Sequence, residues 1–182
     1  SLAPVEAGQR TMDNSLYKAV FRDHQRDRLY PPAPGTIVRY NDRGKVELAG
    51  DWTHSTFMGG DYLHASVIQN RYLYLIVGDV SGHGISSALL MASVRAYLRS
   101  RVMQAGSVAE IISDVNRLVS ADTMETNQFM TLFFLVFKGQ TGQLTWVRAG
   151  HDPAILYDPV TDDFSELQGS GMALGIDMHF QY

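Results

Sequence analysis

An apolar, β-type run, Tyr72-Leu73-Tyr74-Leu75-Ile76-Val77, leads directly into Gly78-Asp79-Val80-Ser81-Gly82-His83-Gly84. A helix-like segment beginning Ile85-Ser86-Ser87-Ala88-Leu89-Leu90 leaves it. A strand that is apolar at nearly every position must be covered on both faces. The stretch therefore sets an aspartate at the end of a buried strand, followed by a glycine-rich turn whose backbone can approach a ligand closely. Upstream, Asp61 in Gly59-Gly60-Asp61 stands at the head of another strand-like run, Leu63–Gln69. If the two strands form a hairpin about Asn70-Arg71, both carboxylates arrive at one end of a sheet.

The rest of the chain must supply layers that bury such a strand. A length of 182 residues suits one domain with a proper core. With 45% hydrophobic and 19% charged residues, the composition is that of an ordinary globular protein. A net charge of −4 without a basic block argues against nucleic-acid binding through phosphate neutralisation. The absence of cysteine excludes disulfides, thiolate nucleophiles and zinc–thiolate sites, and fits a cytoplasmic setting. No apolar run approaches the ~20 residues of a membrane span, and no signal peptide opens the chain.

Residues from about Met12 to Leu29 are charged and helix-permissive, either a surface helix or a connecting or pairing helix from an upstream regulatory domain. Tyr30-Pro31-Pro32-Ala33-Pro34-Gly35 breaks any helix and marks the boundary between an N-terminal helical or linker segment, 1–30, and a main domain, 31–182. Strands are expected at Thr36–Tyr40, Val46–Ala49, Leu63–Gln69, Tyr72–Val77, Phe129–Phe137, Leu144–Ala149, Ala154–Tyr157 and Phe164–Leu167. Gly84 to about Gln104 reads as a first helix, with Ala88, Ala92 and Ala96 as a close-packing stripe and its first half well buried. Ser107-Val108-Ala109-Glu110 is a capping box opening a second helix, whose apolar face is Val108, Ile111, Ile112, Val115, Leu118 and Val119. Two successive helices between antiparallel strands predict a mixed α/β (α+β) fold, a four-layer α-β-β-α sandwich of antiparallel sheets.

Two carboxylates ~4 Å apart repel by roughly 4 kcal/mol at an effective dielectric near 20. They stay together if one is protonated or a cation lies between them. Oxygen-only donors select hard ions, Mg²⁺ or Mn²⁺, and the Val80 carbonyl is the natural backbone addition. Such a site can turn a bound water into a nucleophile at neutral pH. The competing reading has Asp79 simply capping the following helix. His83 and His151 each have two readings, a local backbone hydrogen bond first and a substrate contact second. Gly59-Gly60-Asp61 also resembles the start of the Gly-Gly-Asp-Glu-Phe signature of nucleotide cyclases, but Tyr62-Leu63 replaces Glu-Phe. Ser81 lacks the Gly-x-Ser-x-Gly context of a nucleophile elbow, and no Gly-x-x-x-x-Gly-Lys phosphate loop is present.

Five motifs in order are more specific than any one. Gly59-Gly60-Asp61-Tyr62, Gly78–Gly84, Ala88-Leu89-Leu90-Met91-Ala92, Phe129-Met130-Thr131-Leu132-Phe133 and Ala149-Gly150-His151 together resemble the SpoIIE/RsbU branch of the metal-dependent (PPM) protein phosphatases. The resemblance implies a two-metal Mn²⁺ or Mg²⁺ site and hydrolysis of phosphoserine or phosphothreonine by a metal-activated water. It further implies a bacterial partner-switching substrate such as a phosphorylated STAS-domain anti-sigma antagonist and an upstream sensory or receiver domain; a homodimer is a separate expectation, tied to the pairing reading of Met12–Leu29. Carried over by position, Asp79 resembles the metal-bridging aspartate, Val80 the carbonyl donor and Asp61 the carboxylate completing that shell. Gly60, Gly82, His83, Gly84 and His151 match motif positions without an assigned role. His64 stands where the branch has a second acidic residue, and Asp177 does not match the family's late Asp-Gly motif. The expectation is thus a C-terminally incomplete site holding one metal, or a degenerate phosphatase-fold interaction module binding a STAS or sigma-factor regulator.

Overall fold

The computed structural model describes residues 72–138, 140–158 and 161–182 in full, and the backbone of short strands before them. Those early strands are β1 (Gly8–Thr11), β2 (Lys18–Val20), β3 (Arg22–Asp23), β4 (Arg28–Leu29), β5 (Ile37–Tyr40), β6 (Val46–Ala49) and β7 (Tyr62–Ile68). There follow β8 (Tyr72–Val80), α1 (Ile85–Arg101), α2 (Val108–Thr123), β9 (Met130–Lys138), β10 (Gln143–Ala149), β11 (Ala154–Asp158) and β12 (Asp163–Leu167). A five-stranded antiparallel sheet has the order β1-β10-β9-β8-β7, and a three-stranded one the order β12-β11-β2. The pairs β3-β4 and β5-β6 stand as separate two-stranded ladders.

Side-chain alternation along β8 and β9 divides the interior into two cores. Leu73, Leu75, Phe133 and Leu135 meet Leu144, Trp146, Ala154, Leu156 and Leu167 between the two sheets. Ile76, Val80, Met130, Leu132, Phe134 and Val136 point the other way, against Leu90, Val94 and Leu98 of α1 and Ile111, Ile112, Val115 and Val119 of α2. The central strands are apolar on both faces because both faces are covered, as expected. Helices, sheet and second sheet give three layers of the α-β-β-α sandwich; among the described residues there is no second helical layer.

Two expectations are corrected. Where it is described, the Met12–Leu29 segment is strand and not helix: Lys18–Val20 pairs with Ile155–Tyr157 of β11. Backbone pairing to an existing sheet outweighs the small helix preference of so short a segment. The alanine stripe is likewise not the packing face of α1. Ser87, Leu90, Val94 and Leu98 are buried there, whereas Ala92 and Ala96 are exposed. Burying a leucine or valine is worth ~1.5–3 kcal/mol, far more than an alanine methyl offers, so the larger side chains set the rotation of the helix. Its first turn is less buried than expected, with Ile85 74% and Leu89 65% exposed. The capping box at Ser107 and Glu110 forms with both of its hydrogen bonds.

Candidate functional site

β8 runs beyond Val77 to include Gly78, Asp79 and Val80, which pair with Leu132, Thr131 and Met130 of β9. Gly78 permits this extension, because a Cβ there would stand 2.9 Å from the Thr131 carbonyl oxygen and 3.0 Å from Leu132 Cδ1. Asp79 and Thr131 share the parity of Leu73, Leu75, Phe133 and Leu135, so both side chains face the inter-sheet side of the sheet. Each is half-buried. Asp79 therefore stands at the end of the sandwich, where the inter-sheet core opens.

The strand ends in a braced turn. The Ser81 N–H donates to the Phe129 carbonyl at 2.8 Å, and the Phe129 N–H donates back to Ser81 Oγ at 3.0 Å. Since Ser81 and Phe129 form a hydrogen-bonded pair, antiparallel alternation turns the Val80 carbonyl away from β9. Met130 accordingly bonds on its far side, exchanging hydrogen bonds of 2.9 and 2.8 Å with Leu174. Ser87 donates to the Ser81 carbonyl at 3.1 Å, and Ser86 donates to Gln128 at 2.9 Å. Gly84 is the N-cap of α1 with φ 85°, a left-handed value glycine takes without steric cost. The cap reading of Asp79 is not borne out: Asp79 lies in the ladder, and the N-cap of α1 is Gly84, which makes no side-chain cap hydrogen bond. His83 and Gly82 are exposed on the turn.

His151 reaches the same place from the other side. Gly150-His151-Asp152-Pro153 carries the chain from β10, in the larger sheet, to β11, in the smaller one. Gly150 has φ 68° and its N–H donates to the Gly171 carbonyl at 2.9 Å. Arg148 clamps the crossing, donating from Nε to the His151 carbonyl and from Nη1 to the Gly169 carbonyl at 2.8 Å. His151 Nδ1 lies 2.8 Å from Thr131 Oγ1, and that hydroxyl is 3.4 Å from the Asp79 carbonyl oxygen. Thr131 thus links the two motif residues, a role missed in the sequence although it is the lone polar residue of Phe129–Phe137.

Gly60 and Asp61 lie outside the described residues. Tyr62, the chain neighbour of Asp61, pairs with Gly78, the neighbour of Asp79. Among the described residues no group of three or more His, Cys, Asp or Glu side chains could hold a metal. The oxygen donors present, the Asp79 carboxylate and the Val80 carbonyl, fit the beginning of a hard-cation site.

The family model described as Stage II sporulation protein E (SpoIIE) matches residues 69–182, well over half of the sequence. The chain belongs to the SpoIIE family. The resemblance to the SpoIIE/RsbU branch of the PPM phosphatases is thereby borne out. This SpoIIE-family chain is 28% identical over 125 residues to phosphoserine phosphatase RsbU of Bacillus subtilis (strain 168), an alignment covering 69% of it and 37% of that protein. It is 27% identical over 118 residues to phosphoserine phosphatase RsbP of the same organism, covering 63% of it and 29% of RsbP. The SpoIIE-family chain thus spans about a third of the length of these curated relatives. The crystal structure of the RsbU and RsbW domains of Rv1364c from Mycobacterium tuberculosis superposes with a TM-score of 0.60 at 25% identity, covering 71% of this chain and 36% of that one. RsbX, solved in complex with magnesium, shares the fold with a TM-score of 0.54 at 14% identity, over 92% of this chain and 66% of that one.

Proposed function

We propose that the chain is the catalytic domain of a Mn²⁺- or Mg²⁺-dependent phosphoserine/phosphothreonine protein phosphatase in a bacterial partner-switching pathway. The observation that carries this reading is the placement of Asp79 at the open end of the inter-sheet core, joined through Thr131 to His151, within a SpoIIE-family fold. Asp79 and Asp61 are its metal carboxylates and Val80 its backbone donor. Asp61 lies outside the described residues, and the pairing of its chain neighbour Tyr62 with Gly78 supports its inclusion. The bound cation supplies Lewis-acid activation of water and neutralises phosphoryl charge. The chain's own contribution is to fix Asp79 on a rigid ladder, to hold Ser81 against Phe129 and to hold the first turn of α1 against Gln128. Phosphoserine phosphatases among the relatives support a phosphoprotein substrate, and a STAS-domain sigma-factor regulator is the substrate class we infer. An upstream sensory or receiver domain and a homodimer belong to the same proposal. Among the described residues no helix is long and apolar enough to cross a membrane, and a cytoplasmic setting fits that pathway.

In the protein at its full natural length, Mn²⁺-dependent hydrolysis of a phosphoserine peptide should fall by about 100-fold or more in Asp79→Asn, or ~2.7 kcal/mol of transition-state stabilisation. Circular dichroism should stay unchanged. A wild type inactive with both Mn²⁺ and Mg²⁺ sinks the proposal and favours a phosphatase-fold module that binds a STAS or sigma-factor regulator without turnover.

A further inference from the structure

We propose that Ser81 is a positioning residue that fixes the direction of the Val80 carbonyl, the backbone donor to a divalent cation. Its hydroxyl closes the β8–β9 ladder in place of its own carbonyl, and the peptide joining Val80 to Ser81 is thereby held in one orientation. The cation rests on the phosphatase reading; the clamp rests on the geometry.

Residues of a hydrogen-bonded antiparallel pair exchange two main-chain bonds. Val80 is paired with Met130 at the end of the ladder, so the next pair in register is Ser81 with Phe129. Only one bond of that pair joins main chain to main chain, the Ser81 N–H donating to the Phe129 carbonyl at 2.8 Å. The return bond from the Phe129 N–H goes to Ser81 Oγ at 3.0 Å. The Ser81 carbonyl, which takes that bond in a regular ladder, is diverted to α1 and accepts from the Ser87 hydroxyl at 3.1 Å. A hydroxyl at this position lets the main chain leave the ladder at once and turn at Gly82, where φ is 83°. The Phe129 N–H is not left without a partner.

The consequence falls on the peptide between Val80 and Ser81. The C=O and N–H of a trans peptide point in opposite directions. With the Ser81 N–H committed to Phe129, the Val80 carbonyl is turned to the other edge of β8, the edge on which Gly78 pairs with Tyr62. A single main-chain bond at the end of a ladder leaves that peptide free to rock. The bond to the hydroxyl closes a ring between the same two residues and removes the rocking. From the helix side, Ser87 is 1% exposed, and Ser86 ties the same turn of α1 to Gln128 at 2.9 Å. Groups that orient a metal ligand without touching the metal commonly change its affinity by about 10- to 100-fold when removed.

Ser81→Ala deletes the hydroxyl; Ser81→Thr keeps it. In the protein at its full natural length, Mn²⁺ binding followed by electron paramagnetic resonance of the free ion should be roughly 10-fold weaker in Ser81→Ala and unchanged in Ser81→Thr. Without metal, in ¹⁵N-phenylalanine-labelled protein, the Phe129 amide, assigned through Phe129→Tyr, should exchange with solvent about 10-fold faster in Ser81→Ala and at the wild-type rate in Ser81→Thr. In the wild type, Mg²⁺ should shift the carbonyl-carbon resonance of Val80. Equal Mn²⁺ affinity in wild type and Ser81→Ala overturns the proposal, as does a Phe129 amide indifferent to the hydroxyl. So does a Val80 carbonyl carbon that bound Mg²⁺ leaves unmoved, a result read on the wild type alone. A wild type that binds neither ion overturns this role together with the phosphatase reading. Cation binding that depends on the Ser81 hydroxyl but supports no hydrolysis would sink the phosphatase reading and leave this role standing.

Discussion

At Gly78, Asp79 and Val80 the sequence reads as the first residues of a turn, yet all three remain in the ladder. Gly78 continues β8 because its missing Cβ lets β9 come close, and this holds Asp79 on a rigid strand instead of a loop. The opposite end of the described chain shows the same dependence on a single side chain. Tyr182 is buried; its N–H donates to Ser113 Oγ at 3.1 Å, its hydroxyl donates to the Met172 carbonyl, and its ring meets Phe180 edge-on at 4.9 Å. Burial, with a smaller contribution from Asp177, pushes the phenol well above its ordinary value of 10.0. A raised pKa means that the folded state favours the neutral form, so the stabilisation is complete below pH 10 and is lost as pH rises beyond it. Urea midpoints measured at pH 8 and 10.5 should fall more steeply with pH in the wild type than in Tyr182→Phe. Equal slopes would show that Tyr182 does not carry the alkaline sensitivity.

The elements follow their sequence signals closely where the signal is periodic. β6 keeps its expected bounds, and α2 begins at the residue its capping box marks. There Ser107 Oγ accepts from the Glu110 N–H at 3.2 Å, and Glu110 returns a bond of 2.7 Å to the Ser107 N–H. These bonds hold the Glu110 carboxyl below its ordinary range. Removing the cap in Ser107→Ala should cost about 1 kcal/mol, a drop of ~2–4 °C in Tm for a chain of this size; an unchanged Tm would mean the cap is idle. α1 was less legible. Its residues are apolar on several sides, so periodicity could not say which stripe packs, and the contact with β8, β9 and α2 settled it in favour of Leu90, Val94 and Leu98. The Met12–Leu29 segment failed for a related reason. Its local preference is weak, and pairing with β11 supplies an order that no local pattern announces.

Over the whole molecule, one sheet serves two cores, and adjacent phenylalanines of β9 divide between them. Phe133 is fully buried between the sheets and Phe134 fully buried beneath the helices. Phe133→Ala should destabilise by ~3–5 kcal/mol through lost burial and a residual cavity, read as a lower denaturant midpoint. Because Phe133 lies two residues from Thr131 on the same face, the variant should also loosen the His151 contact, whereas Phe133→Leu should keep most of both. The sequence by itself determined the two helices and the strands from β5 onward, the two-faced burial of the central sheet, the family, and Asp79 and His151 as marked residues. Those properties reside in local periodicity, glycine placement and motif order. Only the tertiary structure decided that Asp79 stays in the ladder, that the chain crosses between sheets at His151, and that Thr131 joins the two. Cross-strand register and inter-sheet crossing bring together residues from separate parts of the chain, and a single sequence carries no record of which residue will face which.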